Sequence, residues 1–471
     1  MKKTRLHTAY IRQLADTLTP VGIFLNLRDH FPNALLLESS DYHSRADSLS
    51  FICLDPIADF EATGNRYSVE LPDGTRIQQA VKNGREVWKA FSEFYELFQM
   101  AETDLPFSTC GLFGYTAFEA VQYFEDISFE EKPTESKANP DLKYQLFRYV
   151  IAIDHFKNEL YVNKYDFEPV DPEDTALLRV LSLLKVARTS QFGFEAVGEE
   201  TSAISDEAYR NMVSVGIAHC QRGDVFQVVL SREFQQQYKG DDFNVYRSVR
   251  SINPSPYLFY FDYGNFRIFG SSPEIQLAVE QGKAFIDPIA GTVKRTGDAK
   301  LDQQLAEEMK ADPKEYAEHI MLVDLARNDL SRNTNNVTVE ECAEIQYFSH
   351  VIHMVSKVSG RLPSNNSGLN VYADTFPAGT LSGAPKYRAL QIINKQEPIK
   401  RNFYGGAIGF FGFDGSVNHA IIIRSVLSKN NVLTYQAGAG IVVASTPQGE
   451  LEEVNNKVAA IRKAITNAET I

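Results

Sequence analysis

Residues 256–292, PYLFYFDYGNFRIFGSSPEIQLAVEQGKAFIDPIAGT, alternate short aromatic and β-branched runs with glycine-containing turns. Turn signals fall at 263–265 (YGN) and 281–282 (QG), a spacing typical of consecutive antiparallel strands. The same pattern returns after residue 400, where 414–415 (DG) marks another hairpin. These runs predict large antiparallel sheets, and they decide the fold class.

Helical patterns alternate with the hairpins. Two helical stretches are expected at roughly 300–330 and 383–396, and an amphipathic helix is expected at 7–18. The chain therefore reads as an α+β fold. A weakly patterned stretch near residue 200 separates two halves, so we predict an N-terminal region at 1–200 and a second region at 201–471.

The composition excludes several classes of protein. A formal net charge of −14 argues against nucleic acid or an anionic membrane as the main partner, because both require clustered Lys and Arg. No apolar run reaches the length of a membrane span, and the basic N-terminus has no apolar signal core. Four scattered cysteines without C-x-x-C spacing predict reduced, buried thiols. A cytoplasmic protein is therefore expected.

Residues 312–330, DPKEYAEHIMLVDLARNDL, predict a helix with a firmly held first turn. An N-cap aspartate followed by proline suits a helix start. Glu315, Glu318 and His319 then share one face, as residues at i, i+3 and i+4 do. The alternative is a solvated acidic turn that complements the helix dipole, and taken alone the two readings are equally good.

A second acidic turn lies near the C-terminus, in PQGELEEVNNKVAAIRKAI. Glu450, Glu453 and Lys457 line one helical face. Two such turns can together supply oxygen ligands to a hard cation, and Mg²⁺ suits a few carboxylates completed by waters and substrate oxygens. By itself the second turn is better explained as an ordinary helix with a Glu453–Lys457 ion pair.

Two glycine-rich loops could bind an anion through their backbone. QAGAGIV, 436–442, places Gly438 and Gly440 where side chains would otherwise keep a ligand from the N–H groups. FPAGTLSGAPKYRAL, 376–390, runs into a helix in which Pro385 suits position N1. It lacks P-loop spacing, and for either loop alone a tight structural turn is the better explanation.

A series of motifs in the second half occurs in the order found in one enzyme family, and it covers about residues 207–465. The segments are GDVFQVVLSREF, NPSPYLFYF, SSPE, DPIAGT, KEYAEHIMLVDLARNDLSR, HVIHMVSKVSG, FPAGTLSGAPK, YGGAIGFF, IIIRS, QAGAGIV and ELEEVNNK. They resemble the chorismate-utilising enzymes, most closely the large subunits that aminate chorismate to anthranilate. The resemblance implies a β-sandwich core of large antiparallel sheets with helices packed outside.

The resemblance also implies a magnesium site and a set of substrate contacts. Glu318 and Glu453 would be direct Mg²⁺ ligands, with Glu315 and Glu450 holding metal-bound waters. Chorismate would be bound by Gly291, Thr292, Tyr404, Arg424, Gly438, Ala439, Gly440 and Lys457.

Four further residues are implied in catalysis: Glu274, His353, Thr380 and Gln227. Glu274 of SSPE would be the acid that protonates the departing C4 hydroxyl, and burial would raise its pKa for that role. His353 lies at the position of the family's active-site histidine, and its proton role is left open. Thr380 would contact substrate. His319 is expected to support its helix from behind.

Two positions discriminate between members of the family. Gln227 occupies the position at which the family members that use water resemble one another in carrying a lysine base. A glutamine at this position fits ammonia as the nucleophile. Ala290 of PIAGT stands where aminodeoxychorismate synthases typically carry a lysine that can attack substrate. Both predict amination at C2. An aminodeoxychorismate synthase component and a catalytically silent, tryptophan-binding subunit stay as alternatives.

The resemblance also implies partners. With no glutaminase cysteine motif in the chain, a separate glutamine amidotransferase subunit is expected to supply ammonia. LLES at 36–39 resembles the family's tryptophan-sensing strand, so feedback inhibition by tryptophan is expected. The residues implied in tryptophan binding are Glu38, Ser39, Asn253, Pro254, Ser255, Pro256, Tyr257 and Leu258.

Overall fold

A computed structural model describes residues 3–39, 48–100, 104–105, 107–130, 132, 139–169, 175–185, 191–348, 351–364 and 367–471. Most of its regular structure is strand. The strands are β1 Thr4–Leu14, β2 Leu35–Glu38, β3 Leu49–Thr63, β4 Arg66–Glu70, β5 Arg76–Ala80, β6 Phe98–Met100, β7 Gly111–Thr116, β8 Leu142–Asp154, β9 Glu159–Asp166, β10 Phe194–Thr201, β11 Gln227–Gly240, β12 Tyr257–Asp262, β13 Arg267–Ser272, β14 Ile275–Glu280, β15 Lys283–Ile286, β16 Ile289–Lys294, β17 Asn335–Tyr347, β18 Val351–Arg361, β19 Gly383–Ala384, β20 Ala407–Gly412, β21 Val417–Ile421, β22 Ser425–Lys429 and β23 Val432–Ile441.

The helices fall mainly between groups of strands. They are α1 Pro20–Leu27, α2 Gly84–Glu96, α3 Thr175–Leu184, α4 Asp206–Gln221, α5 Phe243–Ile252, α6 Ala299–Ala311, α7 Pro313–Ser331, α8 Gly368–Thr375, α9 Gly379–Ser382, α10 Lys386–Gln396 and α11 Pro447–Ala468, with a 3₁₀ turn at Phe118–Tyr123.

The strands form two runs of antiparallel pairs that share β3 and β8. The first sheet runs in the order β10–β11–β23–β22–β13–β12–β2–β3–β8–β9–β1. The second continues from β3 and β8 through β7–β20–β21–β14–β15–β18–β17. Aromatic side chains meet between strands of the core, as Phe51 on β3 does with Phe410 on β20 at 5.8 Å between ring centroids.

Helices cover the outer faces of this core. α4, α5 and α11 pack together and against the first sheet, while α6 and α7 lie on β16, β17 and β18. The predicted α+β fold, with large antiparallel sheets and helices outside, is confirmed. The predicted turns also form: Gln281 and Gly282 both have positive φ, 49° and 74°, as the tight turn between β14 and β15 requires.

The chain crosses between the two sheets twice at one place, and this crossing positions the functional residues. β13 of the first sheet passes into β14 of the second through Glu274, and β21 passes back into β22 through Arg424. Backbone bonds fix the crossing: Ile421 N–H donates to Glu274 O at 3.0 Å, and Ser271 N–H donates to Arg424 O at 3.2 Å.

Three local expectations from the sequence were wrong. The helix expected at 7–18 is strand β1, because backbone pairing with β9 from His7 to Leu14 outweighs the weak helical pattern. The helix expected at 383–396 begins at Lys386 with Pro385 as its N-cap and not at N1, because residues 383–384 form strand β19. Cys342 is exposed, whereas Cys53, Cys110 and Cys220 are buried, and all four are free thiols.

Strands from both sides of residue 200 share both sheets and one hydrophobic core. The division at 1–200 and 201–471 stays a prediction about sequence organisation. Within the described residues, no helix is long and apolar enough to cross a membrane.

Candidate active site

Glu274 is a buried acid at the crossing between the sheets. Thr380, in the first turn of α9, donates its hydroxyl to Glu274 Oε1 at 2.9 Å. Burial raises the pKa of Glu274 to about 7, although Thr380, Arg424 and Lys457 each act to lower it. A carboxyl group with this pKa keeps its proton near neutral pH and can donate it to a substrate.

Arg424 supplies positive charge beside that acid. Its backbone is held at a φ of +50°, which is uncommon for a residue other than glycine. Burial lowers the pKa of the guanidinium, and Glu274 opposes that effect. Among the described residues, no carboxylate is hydrogen-bonded to Arg424, so its donors remain available to an anion.

His353 lies on β18 opposite β16, in register with Thr292. Its Nδ1 is 3.1 Å from Gly291 O, so the ring donates from Nδ1 to that carbonyl. Burial lowers the pKa of His353 to about 4, and the imidazole is neutral at pH 7. The side chain of Thr292 lies outside the described part of the structure.

Gly291 lies on β16 and brings that strand close to α7. Its φ is +66°, and a Cβ there would lie 2.9 Å from Met309 Sδ and 3.3 Å from Glu315 Oε2. The positive φ therefore favours glycine, and a Cβ there would also displace the Met309 side chain. The carboxylate of Glu315 is thereby placed directly beside the strand that carries the PIAGT motif.

The two predicted acidic turns face each other from α7 and α11. The α7 cap forms as expected, with Asp312 accepting from Lys314 N–H at 2.8 Å. Burial raises the pKa of Glu318, and Glu315 and Glu453 raise it further. Burial and Glu453 likewise raise the pKa of Glu450. Carboxylates from separate helices are thus close enough to repel one another.

These side chains suit a hard cation that is completed by other ligands. Glu450 Oε2 is buried without a hydrogen-bond partner. Two of the other carboxylates are paired with lysines: Lys457 lies 2.6 Å from Glu453, and Lys314 lies 3.8 Å from Glu318. In the described ranges no three Asp, Glu, His or Cys side chains converge into a metal site on their own. Mg²⁺ commonly takes one or two carboxylates plus waters and substrate oxygens, so the arrangement fits that ion.

Gly438 and Gly440 of β23 lie against Tyr404 and Gln227. A Cβ on Gly438 would lie 2.9 Å from Tyr404 Oη, and a Cβ on Gly440 would lie 2.4 Å from Gln227 Nε2. Lys457 donates to Gly438 O at 2.9 Å, which ties α11 to this strand. The structure therefore brings Gln227, Tyr404 and the 438–440 backbone, including Ala439, together.

A buried ion pair behind Tyr404 was missed in the sequence. Arg401 donates to both oxygens of Glu397, at 2.8 and 2.5 Å, and its guanidinium lies 5.7 Å from the Tyr404 ring. Glu397 also accepts from Ser231 N–H and its hydroxyl, each at 2.8 Å. The four-residue spacing of Glu397 and Arg401 was a usable signal, but Pro398 between them argued against a helical pair.

His319 lies outside this constellation. It is fully buried, its Nε2 is 2.6 Å from Ser356 Oγ, and burial lowers its pKa to about 4. Ser356 also accepts from Ala343 N–H at 2.8 Å. His319 therefore anchors the back of α7 to β18 and β17.

The segments implied in tryptophan sensing lie side by side on the first sheet. Glu38 on β2 is in register with Leu258 on β12. The Glu38 carboxylate is buried, accepts from Arg250 Nε at 3.0 Å and also accepts from the Tyr246 hydroxyl. Residues 253–256 connect α5 to β12, and Tyr257 begins that strand. The Asn253 carbonyl accepts from the Ser271 hydroxyl, and Ser271 N–H donates to Arg424 O, so this set lies next to the crossing between the sheets.

Comparison with known proteins gives one family. A family model described as chorismate binding enzyme matches residues 33–463. The chain is 38% identical over 486 residues to anthranilate synthase component 1 of Geobacillus stearothermophilus, covering 97% of this chain and 93% of that protein. It is 35% identical over 475 residues to anthranilate synthase component 1 of Aquifex aeolicus (strain VF5), covering 98% and 94%.

A solved structure shares the fold. The crystal structure of anthranilate synthase component I from Streptococcus pneumoniae TIGR4 matches with a TM-score of 0.77 and 29% identity, covering 96% of this chain and 99% of that one. Because the family model spans most of the sequence and the relatives align over nearly their whole lengths, the chain belongs to the chorismate-binding enzyme family.

Proposed function

We propose that this chain is the aminating component of an anthranilate synthase, which converts chorismate and ammonia to anthranilate and pyruvate. One observation carries the proposal: a buried carboxyl group with a pKa of about 7, Glu274, lies beside the unpaired cation of Arg424 in a chorismate-binding enzyme. Relatives similar over nearly their full length are named anthranilate synthase component 1.

Different residues would bind the substrate and transfer the proton. Arg424, Tyr404 and the backbone N–H groups of 438–440 would bind the enolpyruvyl carboxylate. Ammonia adds to ring carbon C2, and Glu274 donates its proton to the C4 hydroxyl, which leaves as water. The C2 proton and the enolpyruvyl group then leave, releasing pyruvate and an aromatic ring. A protonated Glu274 replaces hydroxide loss by water loss, and such general acid catalysis contributes about 10² to 10⁴ in rate.

Glu318 and Glu453 would hold Mg²⁺, with Glu315 and Glu450 accepting hydrogen bonds from its waters. When bound, the ion would withdraw electron density from the ring through the ring carboxylate, which favours attack at C2 and loss of the C2 proton. Lys457 would then exchange its contact with Glu453 for one near the ring carboxylate. The raised pKa values of Glu318 and Glu450 support this assignment, because burial and the nearby Glu453 carboxylate raise both, and a bound cation would offset these effects.

Two positions support amination over related reactions. Gln227 packs against Gly440, and its amide cannot deprotonate water. Ala290 on β16 offers no nucleophile. Ammonia would come from a separate glutamine amidotransferase subunit. Tryptophan would inhibit by binding at Glu38, Ser39 and residues 253–258, where the oriented Glu38 carboxylate could accept from its ammonium group.

The reaction itself is tested by product analysis. The purified chain with chorismate, Mg²⁺ and ammonium should form fluorescent anthranilate without an added lyase. Glutamine should replace ammonium only after a glutamine amidotransferase subunit is added. Release of aminodeoxychorismate would favour the sister enzyme, and tryptophan binding without any turnover would favour a silent regulatory subunit.

Replacing the acid should remove one limb of the pH profile. Glu274 is protonated below its pKa of about 7, so kcat/KM should fall as pH rises through 7 at a fixed concentration of free ammonia. We expect Glu274→Gln to lower kcat by about 10²- to 10⁴-fold and to abolish that limb. Glu119→Gln is the matched control, because burial also raises the pKa of Glu119 to about 7 at a position outside the site. If the limb persists in Glu274→Gln, the acid has been misassigned.

Removing a metal ligand should be visible without turnover. We expect Glu318→Gln and Glu453→Gln to weaken Mg²⁺ binding by at least about tenfold, as loss of a charged ligand does. Calorimetric titration of Mg²⁺ into the protein with anthranilate present measures this directly. Glu452→Gln is the control, since Glu452 is the exposed neighbour that contacts Gln448. Unchanged Mg²⁺ affinity in both variants contradicts the proposed ligands.

The sensing segment is tested by inhibition kinetics. Ser39→Ala should raise the tryptophan concentration needed for half inhibition several-fold and leave the KM for chorismate unchanged, because Ser39 is not among the residues assigned to chorismate. Ser214→Ala, on the exposed face of α4, is the control. If both variants are equally sensitive to tryptophan, Ser39 does not contribute to a tryptophan site.

A further inference from the structure

Glu397 and Arg401 form an ion pair inside the protein, where the two residues are 2% and 3% exposed. Removing two charges from water costs about as much free energy as their attraction returns, so an apolar pair of similar volume often serves stability equally well. The stability of the fold alone therefore does not explain why these residues are charged. A guanidinium adds a planar fork of donors in fixed directions, which no apolar side chain can supply.

The guanidinium of Arg401 joins two separate main-chain segments. Its Nη1 donates to Leu381 O, and its Nη2 donates to Val229 O, each at 2.7 Å. Leu381 belongs to α9, and Val229 belongs to β11, where it is in register with Gly440. Because Nε and Nη2 also donate to Glu397, the guanidinium cannot turn without breaking several hydrogen bonds at once.

The short helix α9 has few contacts of its own that could hold it in place. It spans only Gly379–Ser382, and its N-cap is Ala378, which has no side chain able to cap it. A single helical turn is unstable by itself, and its last carbonyls need partners from outside. Arg401 supplies such a partner to Leu381, together with positive charge at the helix end that the dipole makes negative. Thr380, the residue before Leu381, is held with it.

Glu397 connects the same ion pair to the glycine strand. Its Oε1 accepts from the N–H and the hydroxyl of Ser231, each at 2.8 Å. Ser231 is in register with Gly438 on β23. The Arg401 guanidinium also lies 5.7 Å from the ring centroid of Tyr404, whose hydroxyl lies against Gly438. The pair therefore contacts both the helix that carries Thr380 and the strand proposed to bind the enolpyruvyl carboxylate.

We infer that Glu397 and Arg401 are positioning residues of the active site, which hold α9 so that the Thr380 hydroxyl stays directed at Glu274. Neither residue of the pair is among those assigned to chorismate, Mg²⁺ or tryptophan. The role of Glu274 as an acid rests on the proposed function, but the contacts that position its partner are present in the free protein.

The inference predicts how the acid should respond when the anchor is lost. Three groups act against burial to lower the pKa of Glu274: Thr380 on α9, Arg424 at the crossing and Lys457 on α11. Of these three, only Thr380 lies on the helix that Arg401 holds. If α9 moves, the hydrogen bond from Thr380 is lost, the pKa of Glu274 rises, and the protonated form persists to higher pH.

The test follows the titration of Glu274 in the full-length free protein. The infrared band of its protonated carboxyl group is identified as the band that is missing in Glu274→Gln. Arg401→Lys keeps the positive charge but not the fork of donors. We expect the midpoint, about pH 7 in the unaltered protein, to rise by about one unit in Arg401→Lys and in Thr380→Val. The double variant should shift no further than Thr380→Val, because both changes act through one contact.

Arg28→Lys is the matched control. Arg28 also donates to both oxygens of a carboxylate, that of Asp241, and lies 5.2 Å from the ring centroid of Phe243, away from the residues of the site. This variant should lower the Tm without moving the Glu274 midpoint. If Arg401→Lys behaves in the same way, the pair is only structural and the inference is wrong. It is also wrong if Arg401→Lys causes the same shift with and without Thr380→Val.

A second variant covers the case in which Arg401→Lys does not fold. Glu397→Leu combined with Arg401→Met removes the anchor without leaving an unpaired charge, and the same rise of the midpoint is expected. The titration needs neither chorismate nor turnover, so a chain that forms no anthranilate but shows the shift contradicts only the proposed function. Normal anthranilate formation with an unmoved midpoint contradicts only the inference. In an active enzyme the falling limb of kcat/KM should move to higher pH together with the band.

Discussion

The whole arrangement depends on the double crossing of the chain between the two sheets. β13 pairs with β22 in the first sheet, and their continuations β14 and β21 pair in the second. The residues at the two crossings are therefore forced together, although Glu274 and Arg424 are far apart in the sequence. Main-chain bonds on both sides close the crossing, so the acid and the cation are held by backbone and do not depend on flexible side-chain contacts. If Glu274 and Arg424 act as proposed, this pair is preorganised before substrate arrives.

The electrostatics of that pair favour a dianionic substrate. Burial raises the pKa of Glu274, and Arg424 partly counteracts it. A substrate carboxylate that takes the charge of Arg424 would weaken that counteraction, so the bound state should hold the proton on Glu274 more firmly than the free protein does. The acid is then best protonated when the group that needs its proton is present. An overall charge of −14 makes this local positive charge necessary.

How far the sequence could predict this structure depended on the range of the interactions. The hairpins of 256–292 and the cap of α7 follow from a few neighbouring residues, and both form as predicted. β1 was mistaken for a helix because its pairing partner β9 is distant in sequence, and no local signal records that contact. The Glu397–Arg401 pair was missed for a similar reason, since its partners Ser231 and Tyr404 come from other elements. Helical spacing already singled out the carboxylates of α7 and α11, but Glu274 and Arg424 were available only through resemblance, because nothing in their spacing shows that they meet.

The same ladder of strands connects the two proposed functions. Glu38 on β2 is in register with Leu258 on β12, and Leu258 is in register with Ser271 on β13. Ser271 N–H in turn donates to the carbonyl of Arg424, whose backbone is already held at positive φ. A ligand that displaced β12 at Glu38 would therefore act on the backbone of Arg424 across only two strand pairings. Sheets resist gradual deformation, so such a displacement would tend to switch the crossing between two discrete arrangements. In this geometry inhibition would not require tryptophan to enter the chorismate site, because loss of the Arg424 position alone would remove both the anion contact and the control of the Glu274 proton.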